Sequence, residues 1–257
     1  MTKKDIIIIG AGMAGLTAAI YARRAGKSVL VLEGKIHGGQ IINTLKVDNW
    51  PGDPGVSGPD LMNKIYHQVN NLGAEVEYDE VVSVQKTAEN GEFLIKTEDE
   101  EYSSGAIIVA VGTEPRKLSE KQTKEAGKRP ISYCATCDGA LYKGKPVVVV
   151  GSGNTAKYEI KYLEGICSKV YHIHHDDPIP DEAVAVFAAI GRVPNTEFLK
   201  SLVKLDENGY IDAGENCETS CPGVFAAGDC RTKETRQLVT AAADGAIAAN
   251  AAVQYLA

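Results

Sequence analysis

The first 33 residues constrain the fold most strongly, because they contain a complete strand, turn, helix and strand pattern with glycines at fixed positions. An apolar run, Asp5–Ile9, leads into Gly10-Ala-Gly12-Met-Ala-Gly15, and Glu33 closes a second apolar run, Lys27–Leu32. The glycines allow a tight turn, close approach of the backbone to a pyrophosphate, and close packing of helix against strand. Glu33 stands where a carboxylate can bind ribose hydroxyls. The pattern predicts an α/β fold that opens with a dinucleotide-binding unit.

A second pattern lies in the middle of the chain. Cys134 and Cys137 are separated by two residues and followed at once by Asp138. This spacing beside nucleotide-binding patterns is typical of a redox dithiol. Another glycine turn, Gly151-Ser-Gly153-Asn-Thr-Ala156, follows the apolar run Pro146–Val150. A dithiol between two nucleotide-type folds indicates electron transfer through a flavin to a disulfide, with Asp138 as proton donor to the leaving thiolate. The alternatives are a zinc half-site and an idle pair of thiols.

The dipeptide Gly228-Asp229 follows a short apolar run, Val224–Ala227, and precedes an alanine-rich helical pattern from Gln237 to Tyr255. An aspartate at this position can bind a ribityl hydroxyl. The positive end of the following helix would favour the negative charge of a reduced flavin. The alternative is an ordinary turn aspartate.

Composition excludes several classes of function. The formal net charge is −7, which argues against nucleic-acid binding. No run of 18 apolar residues is present, and the N-terminus has no signal-peptide layout, so we expect a cytoplasmic protein without a membrane span. Cys217 and Cys221 have a spacing that zinc ligands can use. No matching second pair follows, so we expect no metal.

The remaining elements follow from periodicity and breakers. We expect a helix from Asp60 to Leu72, with Leu61, Ile65, Val69 and Leu72 on one face. We expect three strands near residues 75–84, 92–97 and 106–111. Residues 116–133 are predicted to be a charged connector, and the second βαβ unit has its helix from Thr155 to Leu163.

Taken together, these motifs closely resemble the low-molecular-weight thioredoxin reductases of the pyridine nucleotide-disulfide oxidoreductase class. The matching segments include Gly10–Gly15, Gly38-Gly39-Gln40, Cys134–Gly139 and Ile190–Thr196. The resemblance implies a Rossmann-like FAD-binding domain of the GR2 type, formed by 1–115 and 190–257. A truncated second nucleotide-binding-like domain, 116–189, is inserted into it and carries the dithiol.

The resemblance also implies roles for single residues. Cys137 would contact the flavin, Cys134 would attack the disulfide of thioredoxin, and Asp138 would be the general acid. Homodimer formation is implied as well. The implied FAD contacts are Gly10, Gly12, Met13, Ala14, Gly15, Glu33, Gly39, Gln40, Asn49, Val81, Ala110, Gly112, Gly228, Asp229, Arg236 and Gln237.

The chain departs from this family in its middle domain. Members usually have roughly 310 residues, whereas this chain has 257, and the missing residues fall between His174 and Val184. Family members carry arginines after the second strand of this domain, where guanidinium groups bind the 2′-phosphate of NADPH. Here the sequence reads His174-His175-Asp176-Asp177, and no arginine occurs between Arg129 and Arg192. We therefore expect residues 116–189 to enclose a dinucleotide poorly.

This departure resembles the ferredoxin-dependent flavin thioredoxin reductases, which keep FAD and the dithiol without pyridine nucleotide binding. Between Arg116 and Pro146, eight basic residues accompany three acidic ones. Such a segment would suit an acidic ferredoxin as electron donor, although it can also be an ordinary solvated surface. Two alternatives stay open: a reductase that uses NADH or NADPH through a degenerate site, and a flavin redox sensor without turnover.

Overall fold

A computed structural model describes residues 1–87 and 91–257 of the chain. The strands, in chain order, are β1 Thr2–Ile9, β2 Val29–Leu32, β3 Glu75–Glu77, β4 Val81–Lys86, β5 Phe93–Thr97, β6 Glu101–Val109, β7 Thr113–Pro115, β8 Ile131–Ser132, β9 Pro146–Val150, β10 Lys169–Ile173, β11 Val186–Ala188, β12 Arg192–Pro194 and β13 Val224–Ala226. The helices are α1 Met13–Arg24, α2 Gly58–Asn71, α3 Glu120–Ala126, α4 Ala135–Asp138, α5 Asn154–Glu164 and α6 Leu238–Tyr255. Short 3-10 helices include Gly39–Asn43, Gly139–Tyr142 and Gly228–Cys230.

The chain divides into two units, Met1–Thr113 with Pro194–Ala257, and Glu114–Val193. The first unit is built on a seven-stranded sheet in the order β3-β2-β1-β6-β5-β4, with β13 also paired to β6. Strands β3, β2, β1, β6 and β13 are parallel, whereas β5 and β4 run antiparallel. Because the carboxyl ends of parallel strands share one edge, the segments after β1, β2, β6 and β13 converge there.

Both faces of this sheet are covered. In β1, Ile6 and Ile8 belong to an apolar cluster with α1 and α6, while Ile7 and Ile9 belong to a cluster on the opposite face. This explains why the strand is a continuous apolar run rather than an alternating one. Helices α1 and α6 approach closely, since a Cβ at Gly245 would lie 2.2 Å from the Ala14 carbonyl oxygen.

The second unit has a four-stranded parallel sheet in the order β10-β9-β11-β8. Helix α5 follows β9 and buries Ala156, Glu159 and Leu163 at helical spacing. Residues Val147 and Val149 of β9 share the apolar cluster under this helix with Phe187. The dithiol helix α4 belongs to the same unit.

The α/β fold class is confirmed. The helix expected after the first glycine turn is present as α1, and the helix expected from Asp60 to Leu72 is present as α2, Gly58–Asn71. Three local predictions were wrong. The strand expected at 75–84 is two strands, β3 and β4, and the strand expected at 106–111 ends at Val109. The predicted connector 116–133 contains α3, because Ser119 caps its first turn by accepting the Gln122 N–H, and Leu118 and Ala126 are buried.

The assignment of 1–115 with 190–257 to an FAD-binding domain, and of 116–189 to a truncated nucleotide-binding-like domain, stays a prediction. Among the described residues, no helix is long and apolar enough to cross a membrane.

Candidate active site

The dithiol residues form a disulfide in the structure, with the Cα atoms of Cys134 and Cys137 5.3 Å apart. Cys134 is the residue before α4, and Cys137 lies within this one-turn helix. The Cys134 carbonyl oxygen accepts the N–H groups of Cys137 and Asp138 at 3.2 and 3.1 Å. Cys134 is half-buried and Cys137 is exposed. A disulfide with one exposed sulfur-bearing residue is open to exchange with a partner thiol or disulfide.

Asp138 lies at the end of α4, where Ser132 fixes its carboxylate. The Ser132 hydroxyl donates to Asp138 Oδ2 at 2.6 Å and accepts the Cys134 N–H at 3.2 Å. Ser132 therefore connects the predicted proton donor directly to the first cysteine. Sequence reasoning missed this residue, because a serine two positions before a cysteine has no distinctive pattern.

The first glycine turn follows β1. Gly10 has a φ of +105°, and a Cβ there would lie 2.5 Å from the Ala110 carbonyl oxygen. A Cβ at Gly15 would lie 1.8 Å from the Gly10 carbonyl oxygen, so the turn closes only with glycine at this position. Gly12 differs, because a Cβ there would meet no atom within 4 Å. The turn therefore leaves open space in front of Gly12.

Three neighbouring segments border this turn. Glu33 follows β2, and its Oε2 accepts the Ala11 N–H at 2.8 Å. The Gly38 N–H donates to the Ala11 carbonyl oxygen at 2.8 Å, and a Cβ at Gly39 would lie 3.6 Å from Gly12 Cα. Ala110, directly after β6, belongs to the third neighbouring segment. Gly112 follows it, and a Cβ at Gly112 would meet no atom within 4 Å.

The loop after β13 reaches the same edge. A Cβ at Gly228 would lie 3.0 Å from Ala14 Cβ, so Gly228-Asp229 lies beside the start of α1. The Arg236 guanidinium donates to the Asp229 carbonyl oxygen at 3.2 Å. Asn49 Nδ2 donates to Gln237 Oε1 at 3.1 Å.

The other predicted contacts separate into two groups. Met13 and Ala14 are buried in the first turn of α1, and the Gln40 amide donates to the Thr113 carbonyl oxygen. Val81 pairs with Thr97 in the β4–β5 hairpin and has no described contact to the glycine turn. The structure therefore brings together the predicted contacts from the strand ends, and Val81 stays a separate prediction.

The second glycine turn is similar, although Ala156 stands where the first turn has Gly15. Gly151 has a φ of +145°, and a Cβ at Gly153 would meet no atom within 4 Å. A cleft of about 620 Å³ lies over this turn, lined in part by Arg116, Lys117 and His175. This volume is within the range of small-molecule sites. The second unit, which we expect to enclose a dinucleotide poorly, therefore has a cleft with two cations, Arg116 and Lys117, at its wall.

Comparisons with known proteins agree with this geometry. The sequence profile of one family, described as pyridine nucleotide-disulphide oxidoreductase, matches residues 4–183 and 180–246. The chain belongs to this family. It is 36% identical to the thioredoxin reductase of Bacillus subtilis (strain 168), across 98% of this chain and 94% of that protein.

Solved structures of the same class are also similar. Thioredoxin reductase from Giardia duodenalis has a TM-score of 0.91 at 35% identity, with 100% of this chain and 99% of that chain covered. A ferredoxin-flavin thioredoxin reductase from Clostridium acetobutylicum has a TM-score of 0.63 at 28% identity, with 100% and 98% covered. This pyridine nucleotide-disulphide oxidoreductase is therefore a flavoprotein of the low-molecular-weight thioredoxin reductase class, with FAD as its cofactor.

The residues present fit FAD. Helix α1 has no side-chain cap at Gly12 and no acidic residue in its first turn, so its N–H groups face the open space before Gly12. Such an N-terminus favours a pyrophosphate. Glu33, Ala110 and the Gly228-Asp229 loop border the same strand edge. Glu33 would hold the ribose and Asp229 the ribityl chain, as the sequence predicts, and Ala110 stays a predicted FAD contact.

Asp244 on α6 fixes the Gly228 loop, and sequence reasoning did not select it. Its Oδ2 accepts the Gly228 N–H at 2.9 Å, and both carboxylate oxygens accept from the Arg231 guanidinium at 2.9 Å. Lys233 lies 2.7 Å from Oδ2. Burial alone would raise the pKa of Asp244, but the hydrogen bonds from Arg231 and Lys233 outweigh it and lower the pKa. The sequence did contain a signal for Asp244, because Ala243-Asp244-Gly245 matches a motif of the low-molecular-weight thioredoxin reductases.

We expect Asp244→Asn to destabilise the first unit by about 3–5 kcal/mol, because it leaves Arg231 and Lys233 buried without a counter-charge. Since the pKa of Asp244 is lowered, the stabilisation is complete above the ordinary aspartate range of about pH 4 and is lost as the pH falls through the lowered pKa. Urea unfolding at pH 7 and pH 3 measures both effects. The matched control, Asp212→Asn, removes a carboxylate from an exposed ion pair with Lys204 and should not move the midpoint. Equal midpoints for both variants would contradict the role of Asp244.

The other cysteines show no second dithiol. Cys217 is buried, and its thiol donates to the Asp244 carbonyl oxygen at 3.6 Å. Burial raises the pKa of Cys217 to about 11 and the pKa of Cys230 to about 12. Cys221 is half-buried and free. Within residues 1–87 and 91–257, no three His, Cys, Asp or Glu side chains are grouped as for a metal ion.

Proposed function

We propose that this flavoprotein passes electrons from reduced ferredoxin through FAD and the Cys134/Cys137 pair to the disulfide of thioredoxin. The observation that carries this proposal is the disulfide at α4, whose Cys137 is exposed, in a unit whose predicted 2′-phosphate position holds Asp176 and Asp177 instead of arginines. Asp177 Oδ2 accepts the His174 N–H at 2.8 Å, so its carboxylate closes a turn at that position. An acid there disfavours a phosphate monoester.

When bound, FAD collects electrons from a one-electron donor and supplies them as a pair. Reduction of the Cys134–Cys137 disulfide consumes two electrons and two protons and gives two thiols. Cys134 then loses its proton, and its thiolate attacks one sulfur of the partner disulfide. The partner S–S bond breaks, a mixed disulfide forms, and the other partner sulfur leaves as a thiolate that takes up a proton. Cys137 attacks Cys134 Sγ, which re-forms the Cys134–Cys137 disulfide and expels the partner thiolate. Asp138, held by Ser132, protonates the leaving thiolate.

The basic segment 116–146 supports an acidic protein donor. Seven of its eight basic side chains are exposed: Arg116, Lys117, Lys121, Lys124, Lys128, Lys143 and Lys145. Arg129 is different, because its half-buried guanidinium donates to the carbonyl oxygens of Ala126 and Pro180 at 3.0 and 2.8 Å. The seven exposed basic side chains therefore supply the positive charge that would attract an acidic donor protein.

A second candidate function is a reductase that takes electrons from NADH or NADPH. The specific observation that favours it is the cleft of about 620 Å³ over Gly151 and Gly153, with Arg116 and Lys117 at its wall. These cations could face a pyrophosphate. The B. subtilis relative and the Giardia structure are called thioredoxin reductases without a stated donor.

Anaerobic stopped-flow reduction of the FAD absorbance by reduced ferredoxin, NADPH and NADH, side by side, tests the donor. We expect fast bleaching by ferredoxin, with a rate constant that falls steeply as ionic strength rises, because exposed charges steer the encounter. Fast bleaching by NADPH would overturn the ferredoxin proposal and establish the second candidate.

Charge-reversal variants localise the donor surface. Lys128→Glu with Lys143→Glu should slow reduction by ferredoxin by about 10-fold and remove much of its salt dependence. The control, Lys96→Glu with Lys200→Glu, makes the same change in net charge in the first unit and should leave the rate near that of the unmodified protein. Equal slowing by both pairs would mean that overall charge, and not the basic segment, determines the rate.

We also propose a homodimer that works in the cytoplasm. The support is the resemblance to this class and the four free thiols, which suit a reducing compartment. A redox sensor without turnover stays an alternative. Bound FAD combined with zero turnover in a thioredoxin-coupled assay, using chemically reduced donor, would favour it.

A further inference from the structure

Glu159 is a buried carboxyl group that the reaction described above does not use. It lies on the inward face of α5 with Ala156 and Leu163, and the residue is 6% exposed. Acidic side chains are rarely this buried without a partner. The partner of Glu159 is part of the dithiol segment.

Glu159 Oε1 accepts the N–H of Ala135 at 3.3 Å. Ala135 is the first residue of α4 and separates Cys134 from the rest of the dithiol turn, and the Cys134 side chain does not cap this helix. Helix α5 packs closely on this segment, since a Cβ at Gly139 would lie 3.0 Å from Leu163 Cδ2. The acceptor for the start of the dithiol helix therefore comes from another helix.

The second oxygen has a different environment. Among the described residues, Glu159 Oε2 is buried and has no hydrogen-bond partner. Glu159 lines a cavity of about 30 Å³, the volume of roughly one water molecule, together with residues that include Tyr133, Thr155 and Arg192. Burial raises the pKa of Glu159, while the Ala135 hydrogen bond and the Arg192 charge lower it in part.

The charged and titratable groups around Glu159 come from several elements. Asp138 stands at the far end of α4, Tyr133 precedes the dithiol, and Arg192 is the nearby cation. The 3-10 helix after α4 contributes Tyr142, and α5 itself contributes Tyr162. Cys167 lies in the same cluster, and burial raises its pKa. Strands β9 and β11 present apolar side chains to this cluster.

We propose that Glu159 is a positioning residue for the dithiol, which fixes the start of α4 through Ala135 and keeps the reduced cysteines in the thiol form. This proposal rests on the reductase function above only in treating Cys134 and Cys137 as the reactive pair. A carboxylate next to the dithiol disfavours a second negative charge. It also occupies the Ala135 N–H, which would otherwise be a donor close to a Cys134 thiolate.

A glutamine substitution separates the charge of Glu159 from its hydrogen bond to Ala135. Thiols ordinarily titrate near pH 8.5, roughly four units above glutamate. Burial raises the pKa of Glu159 towards that range, and the ionised carboxylate acts on the thiols electrostatically as well as structurally. Glutamine in its place keeps an oxygen that can accept the Ala135 N–H and removes only the charge.

The test measures thiol alkylation of the reduced protein against pH. FAD-loaded Glu159→Gln and unmodified protein are reduced with excess dithiothreitol, freed of it anaerobically, and reacted with iodoacetamide from pH 5 to 10. Mass spectrometry follows the peptide that carries Cys134 and Cys137, which separates it from the four other cysteines. We expect the midpoint of the pH profile to be lower in Glu159→Gln by about one pH unit. Glu164→Gln, an exposed glutamate at the end of the same helix, should leave the midpoint unchanged.

A midpoint in Glu159→Gln equal to that of the unmodified protein would overturn the electrostatic role. Glu159→Leu then tests positioning, because leucine cannot accept the Ala135 N–H. Equal alkylation profiles for glutamine, leucine and unmodified proteins would exclude both parts of the proposal. No electron donor or thioredoxin enters this measurement, so its outcome does not depend on whether ferredoxin reduces the flavin.

Discussion

Replacing Cys137 with serine is expected to lower thioredoxin-reducing turnover by more than about 1000-fold, while FAD stays bound. The disulfide between Cys134 and Cys137 is the group that accepts an electron pair, and a single remaining thiol cannot re-form it. Cys134→Ser should have an effect of the same size, because it removes the other half of the same bond. The measurement is thioredoxin-coupled turnover with chemically reduced donor, with the flavin content of each variant determined from its absorbance.

The matched control is Cys167→Ser. Cys167 is free, half-buried and in the same unit, so its replacement changes one thiol without touching the disulfide. We expect turnover near that of the unmodified protein. Thiol counting should show one more reactive group in either dithiol variant than in the unmodified protein before reduction, and one fewer after mild reduction. Retained turnover in Cys137→Ser would mean that electrons reach thioredoxin by another route, and the assignment of this disulfide would be wrong.

The glycine turns and the dithiol could be predicted from the sequence because each depends on local geometry. Gly10 and Gly15 are required by contacts of 2.5 and 1.8 Å that a Cβ would make, and such contacts leave a fixed spacing in the sequence. The burial of both faces of β1 was likewise readable from an uninterrupted isoleucine run. The FAD class followed from these local patterns taken together.

Residues whose role depends on distant partners could not be predicted in this way. Asp244 acts through Gly228 and Arg231, which lie 16 and 13 residues earlier, and Glu159 acts through Ala135, which lies 24 residues earlier. Nothing in the local sequence distinguishes Glu159 from the exposed Glu164 on the same helix. Helix α3 was missed for a related reason, since its apolar positions are few and its burial comes from the unit around it.

Gly12, in the first glycine turn, is not required by any packing contact of a Cβ. Gly12→Asp should weaken FAD binding by more than about 100-fold without unfolding the protein. Gly12 has extended backbone angles (φ −77°, ψ −173°), and its Cβ would meet nothing within 4 Å, so aspartate fits. At this position before α1, aspartate can cap the first turn, which by itself stabilises a helix by about 1 kcal/mol. Its carboxylate would, however, occupy the place of a pyrophosphate, and like charges in contact cost several kcal/mol.

The flavin content of the purified protein and the Kd for added FAD measure this effect, and the unfolding midpoint of the apoprotein separates it from a loss of folding. Gly153→Asp is the control, because Gly153 has nearly the same backbone angles (φ −80°, ψ −177°) and the same open space at the second turn. It should leave FAD binding unchanged. The same control also bears on the electron donor: if NADPH binds in the cleft over Gly153, this variant will lose that binding, and reduction by ferredoxin will be unaffected. Equal FAD affinity in Gly12→Asp and Gly153→Asp would mean that the first turn does not hold the pyrophosphate.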